Sequence, residues 1–256
     1  MITKHLTLFS DTLPLHYLEG GEGRPYLLLH GGAGPHSIGA FSELLARTSR
    51  VIMPTHPGFE GQPRPEWFRR IDDLVLAYLT LIEKLALPDV IIIGNSVGGW
   101  IAAELALRAS PAVAAVVILD GVGMEPNAES GEIANPAELG PKTIDFSFHD
   151  PQRFGSALLG PEGSEGIIAN QPALLAYAGN PYMHDPELRS RLKQVAIPTL
   201  VLWGESDRIV TPAYGQQFAN SIPDATFSII AKAGHFPQIE QADAVLDKIE
   251  KFSHAL

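Results

Sequence analysis

The sequence predicts an α/β fold with a mostly parallel, eight-stranded sheet, helices on both of its faces and an inserted helical cap. Three observations support this prediction. Short β-branched runs alternate with segments of helical periodicity, glycine-rich turns follow several of these runs, and a proline-rich stretch interrupts the alternation once. Strands that alternate with helices form parallel sheets, because each crossover helix packs back onto the sheet. The 256 residues suffice for one large domain of this kind.

The first half of the chain supplies most of the predicted elements. The predicted helices are Ala40–Leu45, the amphipathic segment Ile71–Leu85 and the Ala- and Leu-rich segment Trp100–Arg108. Short apolar runs bounded by turn residues predict the strands Thr3–Phe9, Leu13–Leu18, Tyr26–Leu29, Val51–Met53, Val90–Ile93 and Val113–Leu119.

The regular pattern stops after Gly123. Residues 125–195 contain eight prolines and no run that predicts a strand. We predict that they form a cap, with residues 1–124 and 196–256 forming the core; a long surface loop is the alternative, although structureless loops of that length are uncommon. The pattern then resumes with the predicted strands Thr199–Trp203 and Thr226–Ile230 and the predicted helices Ala213–Ala219 and Ala242–Phe252.

Composition and charge exclude several classes of function. The 29 acidic residues outnumber the 18 basic ones, and the resulting net charge of −11 disfavours binding to nucleic acid or to an anionic membrane. The absence of cysteine excludes disulfides, thiolate nucleophiles and cysteine-based metal sites. The first residues do not resemble a signal peptide, and no apolar stretch is long enough to span a bilayer. We therefore expect a cytoplasmic protein whose partner is a small-molecule substrate.

A serine flanked by glycines is the predicted nucleophile. Residues 94–98 read Gly-Asn-Ser-Val-Gly, and this G-x-S-x-G pattern lies between a predicted strand and a predicted helix. Such a sharp reversal strains the backbone at Ser96, while Gly94 and Gly98 avoid side-chain clashes across the turn. The hydroxyl would lie at the positive end of the following helix. A serine that only caps this helix is the alternative.

A serine hydroxyl is a weak nucleophile, so it needs a base that is oriented by an acid. His235 follows the last predicted strand and is the predicted base. Asp207 and Asp120 each follow a predicted strand, where the active sites of open α/β sheets assemble. We favour Asp207, which gives the chain order Ser, Asp, His, and we keep Asp120 as the alternative acid. The spacing of the other histidines predicts no metal site.

Acyl transfer also needs backbone donors for the developing oxyanion. The N–H of Val97, next to the nucleophile, is one predicted donor. The glycine-rich loop at 30–34 supplies the other, for which we favour Gly32. His30 is predicted to brace this loop rather than to carry protons.

With these residues in place, the chain resembles the α/β-hydrolase superfamily. The matching motifs are His-Gly-Gly at 30–32, His-Pro-Gly-Phe at 56–59, Gly-Asn-Ser-Val-Gly-Gly at 94–99, Gly-Glu-Ser-Asp at 204–207 and Gly-His-Phe at 234–236. The resemblance implies an α/β-hydrolase fold with a helical cap inserted after the sixth strand. It also implies Ser96 as nucleophile, His235 as base and Asp207 as acid.

Two of these motifs also resemble the meta-cleavage-product hydrolases, which split carbon–carbon bonds of ring-fission products. Those enzymes usually carry a tryptophan after the histidine, where this chain has Phe236, and an arginine in or near the cap. Arg153, Arg189 and Arg191 are candidates for that arginine. The differences favour a serine hydrolase of small esters or lactones. A carbon–carbon bond hydrolase and a ligand sensor with an intact triad are the alternatives.

The apolar and aromatic residues of the predicted cap indicate a mostly apolar substrate. We expect no cofactor or metal to take part, and the sequence leaves the oligomeric state open. The residues predicted to contact the substrate are Gly31, Phe146, Phe148, Leu158, Tyr177 and Phe236.

Overall fold

The computed structural model describes residues 1–159 and 163–256. Its strands are β1 (Ile2–Leu8), β2 (Leu13–Gly20), β3 (Pro25–Leu29), β4 (Arg50–Pro54), β5 (Val90–Asn95), β6 (Val113–Leu119), β7 (Gly123–Met124), β8 (His184–Asp185), β9 (Thr199–Gly204) and β10 (Thr226–Ile230). Eight of these strands form one sheet with the order β1-β2-β4-β3-β5-β6-β9-β10. The first two pairings, β1 with β2 and β2 with β4, are antiparallel, and the remaining neighbours run parallel. The mostly parallel sheet is thereby confirmed. The two remaining strands, β7 and β8, pair in parallel with each other.

Helices connect the strands and fill the segment between β7 and β9. Three short 3-10 turns, at Gly140–Lys142, Gly155–Leu158 and Leu192–Gln194, accompany them. The α-helices are α1 (His36–Leu45), α2 (Ile71–Lys84), α3 (Val97–Leu107), α4 (Pro136–Leu139), α5 (Thr143–Ser147), α6 (Pro151–Phe154), α7 (Ser164–Ala178), α8 (Leu188–Arg191), α9 (Pro212–Asn220), α10 (Pro237–Glu240) and α11 (Ala242–His254).

The core lies on both faces of the sheet, because successive side chains of a strand point to opposite sides. In β5, Val90 and Ile92 belong to the buried cluster that includes residues of α2, α3 and α9, whereas Ile91 and Ile93 belong to the cluster that includes residues of α1 and α11. The predicted placement of helices on both faces is therefore confirmed. Buried on both sides, β5 holds its carboxyl end at a fixed position near the middle of the sheet.

The segment predicted as a cap, 125–195, contains the five helices α4 to α8, of which α7 is the longest. Residues 160–162 of this segment lie outside the described residues. Leu174 of α7 packs directly on the loop after β3, where a Cβ added to Gly32 would lie 2.7 Å from the leucine side chain. The division of the chain into core and cap stays a prediction. Among the helices described, none combines the length and apolarity needed to cross a bilayer.

Candidate active site

The turn between β5 and α3 holds Ser96 in a strained conformation. Its backbone has φ 56° and ψ −117°, values that a residue other than glycine seldom adopts. Close backbone packing explains the flanking glycines: a Cβ on Gly94 would lie 2.0 Å from the carbonyl oxygen of Gly98. Ser96 therefore stands between the end of a buried strand and the start of a helix, whose positive end favours a developing negative charge.

The same crowding predicts the effect of adding a methyl group to the turn. A Cβ on Gly98 would lie 2.2 Å from the carbonyl oxygen of Leu29, whereas a Cβ on Gly39, within α1, meets nothing within 4 Å. We expect Gly98→Ala to lower the free energy of unfolding by about 1–3 kcal/mol. Gly39→Ala should raise it by about 0.5–1 kcal/mol, because alanine favours the helix. Urea denaturation of both variants tests this; a change of the same sign in both would contradict it.

Two loops at the carboxyl ends of β9 and β10 bring Asp207 and His235 together. The imidazole Nδ1 of His235 lies 2.8 Å from Asp207 Oδ2, and both side chains are buried. The other oxygen of Asp207, Oδ1, accepts the backbone N–H groups of Ile209 and Val210 at 2.8 and 3.1 Å. The carboxylate is thus fixed on both oxygens and holds the histidine in one orientation.

The backbone around His235 is held from two sides. Its N–H donates to the carbonyl of Ser147 at 2.7 Å, and its carbonyl accepts from the side-chain amide of Asn95 at 3.1 Å. Glu240 accepts three backbone N–H groups, including that of Gly234 at 2.6 Å. Our sequence reasoning missed Asn95 and Glu240. Asn95 stands within the G-x-S-x-G motif, but its partners are distant in the chain, and nothing local singles out Glu240.

Asp120, the alternative acid, lies beside Asp207 and His235. It follows β6, is fully buried, and accepts the N–H of Gly204 through Oδ1 at 2.8 Å. One oxygen of Asp120, one oxygen of Asp207 and one ring nitrogen of His235 lie within 4.8 Å of one another. Within the described ranges, these three residues are the one cluster of His, Asp or Glu side chains close enough together to hold a metal ion. Both oxygens of Asp207, however, already accept hydrogen bonds from N–H groups. The direct hydrogen bond to His235 is made by Asp207.

The loop after β3 is braced by a pair of buried histidines. His30 Nε2 accepts the N–H of His56 at 3.0 Å, and His56 Nε2 lies 2.8 Å from the carbonyl of His30. Tyr78 contacts the remaining nitrogen of His56 through its hydroxyl. Burial lowers the pKa of His30, and it lowers the pKa of His56 to about 4, so both rings are neutral near pH 7. This arrangement agrees with the bracing role predicted for His30.

Two backbone N–H groups near Ser96 have no acceptor among the described residues. Val97 is the first residue of α3, so its N–H lacks a partner within the helix. The N–H of Gly32 likewise donates to no acceptor in the described part of the chain. Both residues line the same cavity as Ser96. Their role as oxyanion donors stays a prediction.

This cavity, of about 130 Å³, opens over Ser96 and His235. Its volume is near that of an engineered cavity of about 150 Å³ that binds benzene. No hydrogen bond joins the two side chains in the part of the chain described; catalytic hydrogen bonds often tighten only around substrate. Apolar residues from 122–183 form most of the wall, together with Ile209. The predicted site residues in the wall are Gly32, Ser96, Val97, Leu158, His235 and Phe236.

Four of the six residues predicted to contact substrate lie outside the wall: Gly31, Phe146, Phe148 and Tyr177. Gly31 packs against Ser96, since a Cβ added to it would be 2.8 Å from Ser96 Cβ, but it does not line the cavity. Phe146 turns away from the cavity and packs under the guanidinium of Arg208, whose Cζ is 5.4 Å from the ring centroid.

The other two aromatic candidates pack the segment onto the rest of the molecule. Phe148 is fully buried and stacks on Phe236 with ring centroids 5.5 Å apart. Tyr177 is buried and donates its hydroxyl to the carbonyl of Pro57 at 2.8 Å. Neither lines the cavity. Phe148 therefore supports the wall through Phe236, and Tyr177 fixes the end of α7.

The candidate arginines also lie outside the cavity wall. Arg191 is paired with Glu104 and Asp185. Arg189 donates to a backbone carbonyl and to a glutamine, and Arg153 packs over its neighbouring phenylalanine. Among the described residues, no Arg or Lys side chain lines the cavity. The described part of the wall therefore offers no permanently charged cation to a carboxylate.

Comparison with known proteins identifies the family. The model of the family described as "Alpha/beta hydrolase family" matches residues 26–248, most of the chain. The chain belongs to this alpha/beta hydrolase family. The predicted resemblance and fold are thereby confirmed, and the matched range includes Ser96, Asp207 and His235.

This alpha/beta hydrolase is similar in sequence to a hydrolase from Pseudomonas putida, and it shares its fold with several solved structures. It is 28% identical over 257 residues to 2-hydroxy-6-oxononadienedioate/2-hydroxy-6-oxononatrienedioate hydrolase 2 of Pseudomonas putida, covering 90% of this chain and 88% of that protein. A thermophilic esterase from Thermogutta terrifontis shares the fold, with a TM-score of 0.82, 23% identity and coverage of 100% and 99%. A meta-cleavage product hydrolase from Pseudomonas fluorescens IP01 superposes with a TM-score of 0.71, 22% identity and coverage of 95% of each chain.

Proposed function

We propose that this alpha/beta hydrolase is a serine hydrolase that cleaves a small, uncharged and largely apolar carboxylic ester or lactone through an acyl-enzyme. The observation that carries the proposal is His235, which is hydrogen-bonded to Asp207 and lines the same cavity as Ser96, a serine on a strained turn. A hydroxyl, an imidazole and a buried carboxylate are the components of nucleophilic acyl transfer.

Acylation begins when the Ser96 oxygen attacks the carbonyl carbon of the substrate and its proton passes to Nε2 of His235. Asp207 holds the imidazole in the tautomer that accepts this proton and stabilises the resulting imidazolium. The N–H groups of Gly32 and Val97 donate to the tetrahedral oxyanion; one such donor is typically worth about 2.7–4 kcal/mol. The carbon–oxygen bond then breaks, and His235 protonates the leaving alcohol.

Deacylation repeats these steps with water. His235 takes a proton from water as the hydroxyl adds to the acyl carbon. Collapse of the second tetrahedral intermediate breaks the bond to the Ser96 oxygen, and the proton on His235 passes to that oxygen. The carboxylic acid leaves and the enzyme returns to its starting state. Each bond broken and each proton moved is thus accounted for by these two side chains and water.

The composition of the cavity wall favours an uncharged substrate. A carboxylate that leaves water for a site without a partner loses several kcal/mol of solvation. The wall is mostly apolar and, in the described part of the chain, lacks Arg and Lys. Its size suits an acyl or alcohol group near that of a benzene ring.

A carbon–carbon bond hydrolase is the second candidate, and the relative from Pseudomonas putida favours it. The substrates named for that protein are dioates, which carry carboxylates. Arg153, Arg189 and Arg191 all lie outside the cavity wall here, so no cation among them would meet such a carboxylate. This difference is the reason that we place the ester or lactone first.

Turnover of a defined substrate panel tests the choice. We expect multiple turnovers with short-chain p-nitrophenyl esters and none with a ring-fission dienoate. Turnover of the dienoate alone would favour the second candidate. A single slow turnover with every substrate would favour the ligand sensor instead.

The neutrality of the cavity predicts discrimination against charge on the acyl chain. We expect mono-p-nitrophenyl adipate to have a kcat/KM at least about 100-fold below that of its methyl ester, which has the same chain without the charge. Initial rates, corrected for spontaneous hydrolysis, provide the comparison. Equal values for the two esters would contradict an uncharged substrate site.

A further inference from the structure

Asp120 has one oxygen with a partner and one without. Oδ1 accepts the N–H of Gly204, but Oδ2 is fully buried and no donor within the described residues reaches it. An ionised carboxylate in this position would keep a negative oxygen out of water and unpaired, which is costly. The neighbouring carboxylate of Asp207 makes the cost larger, because like charges repel.

A proton on Oδ2 of Asp120 removes both the unpaired negative charge and the repulsion by Asp207. A neutral carboxylic acid has a carbonyl oxygen, which accepts from Gly204, and a hydroxyl, which donates. Asp207 offers the acceptor next to it, since oxygens of the two carboxyl groups lie within 4.8 Å. Burial raises the pKa of Asp120 well above its ordinary value, and the negative charge of Asp207 raises it further.

We propose that Asp120 is a protonated positioning residue that donates a hydrogen bond to Asp207 and thereby extends the Ser96–His235–Asp207 triad by a fourth side chain. Asp207 then receives donors from every side: two backbone N–H groups, the imidazole and the carboxylic acid. Asp120 does not touch substrate, and it acts only by fixing the orientation of Asp207. This role rests on the proposed serine-hydrolase function.

The charged and titratable groups that face Asp120 are few. Asp207 and His235 lie on one side, and Glu240 adds a weaker repulsion. All of these remain in variants at position 120. A comparison between such variants and the parent chain therefore isolates the titration of Asp120 itself.

At position 120, asparagine has the same hydrogen-bonding groups as a neutral carboxylic acid, an acceptor and a donor, and alanine has neither. In Asp120→Asn, the amide oxygen can accept from Gly204 and the NH₂ group can donate to Asp207; Asp120→Ala removes both bonds. We expect the alanine variant to lose about 10- to 100-fold in kcat with little change in KM, a range typical when a supporting residue is removed. The asparagine variant should recover most of this loss. An asparagine variant as slow as the alanine variant would overturn the proposal.

A second measurement, of thermal melting against pH, needs no activity. If Asp120 stays protonated in the folded chain, the folded state holds a proton that the unfolded state releases above about pH 4. The parent chain then loses stability relative to Asp120→Asn as the pH rises from about 4 to 7. We expect the melting temperature of Asp120→Asn minus that of the parent to increase over this range. A difference that stays constant with pH would overturn the protonated state.

The two measurements separate this proposal from the proposed function. If the parent chain hydrolyses no ester, the serine-hydrolase function fails, yet the melting comparison still decides whether Asp120 is protonated. If the esters are hydrolysed but the melting difference does not change with pH, the function stands and the role of Asp120 fails.

Discussion

Replacing Ser96 by alanine is expected to reduce ester hydrolysis by about 10⁵- to 10⁶-fold. The variant keeps the cavity and the two free N–H groups but lacks the oxygen that forms the acyl-enzyme. The fold should survive, because alanine has a Cβ like serine and meets the same strain at φ 56°. The Ser96 hydroxyl also makes no hydrogen bond within the described residues, so its removal leaves no partner unsatisfied.

This prediction is tested by measuring kcat/KM and the melting temperature of the parent chain, of Ser96→Ala and of Ser190→Ala. Ser190 serves as the control because, among the described residues, its hydroxyl donates only to the nearby carbonyl of Glu187, and it lies outside the cavity wall. We expect the control to match the parent chain. If Ser96→Ala retained more than about 1% of the parent rate, the nucleophile would be another group.

Asp207→Asn is expected to lower kcat by about 10⁴-fold, and the hydrogen bonds of Asp207 explain why. The N–H groups of Ile209 and Val210 both require an acceptor at Oδ1, so the amide oxygen of the asparagine takes that place. Its NH₂ group then faces Nδ1 of His235. This holds the imidazole with its proton on Nε2, where it cannot accept the proton of Ser96.

Asp120→Asn is the matched comparison, since it makes the same chemical change at the other buried carboxyl group. Its loss of kcat should stay below about tenfold, as for the partial loss of one positioning contact. Burst kinetics with p-nitrophenyl acetate measure acylation and deacylation in each variant. If Asp120→Asn were the slower of the two, the acid would have to be assigned to the end of β6.

The chemically distinctive parts of the molecule were predictable from sequence because local geometry restricts their residue types. A side chain at Gly94 or Gly98 would clash with the backbone, so the turn has a recognisable sequence pattern. The buried strands also stand out, since a strand covered on both faces is apolar throughout. The same turn explains one misplaced boundary. Helix α3 begins at Val97 rather than at the predicted Trp100. Gly98 and Gly99, which are poor helix formers, are needed there because of the close packing, and they obscured the start of the helix in the sequence.

The substrate contacts were harder to predict because tertiary packing, rather than residue type, decides which way an apolar side chain points. Phe148 and Tyr177 are aromatic like several residues of the cavity wall, but neither lines the cavity. Phe148 stacks on Phe236, and Tyr177 packs against Phe68. Helices α4 to α6 have only four or five residues each, too few for a hydrophobic periodicity that shows a buried face.

The choice between the two acids likewise needed coordinates. Asp120 and Asp207 both follow strands of the parallel sheet, and both are buried. The hydrogen bond to His235 Nδ1 distinguishes them, and it depends on the loop of residues 205–211. Trp203 fixes this loop by donating its indole N–H to the carbonyl of Val210 at 2.9 Å. That contact is a property of the folded chain and has no signature in the local sequence.

The central claim is that Ser96 is a nucleophile activated by His235, and covalent labelling tests it most directly. The chain is treated with a fluorophosphonate, which reacts with activated serines, and the adduct is located by peptide mass spectrometry. We expect one phosphonyl group per chain, on the peptide that contains Ser96, and no labelling of Ser96→Ala. Labelling at another residue, or an unmodified parent chain under conditions in which it hydrolyses p-nitrophenyl esters, would contradict the account.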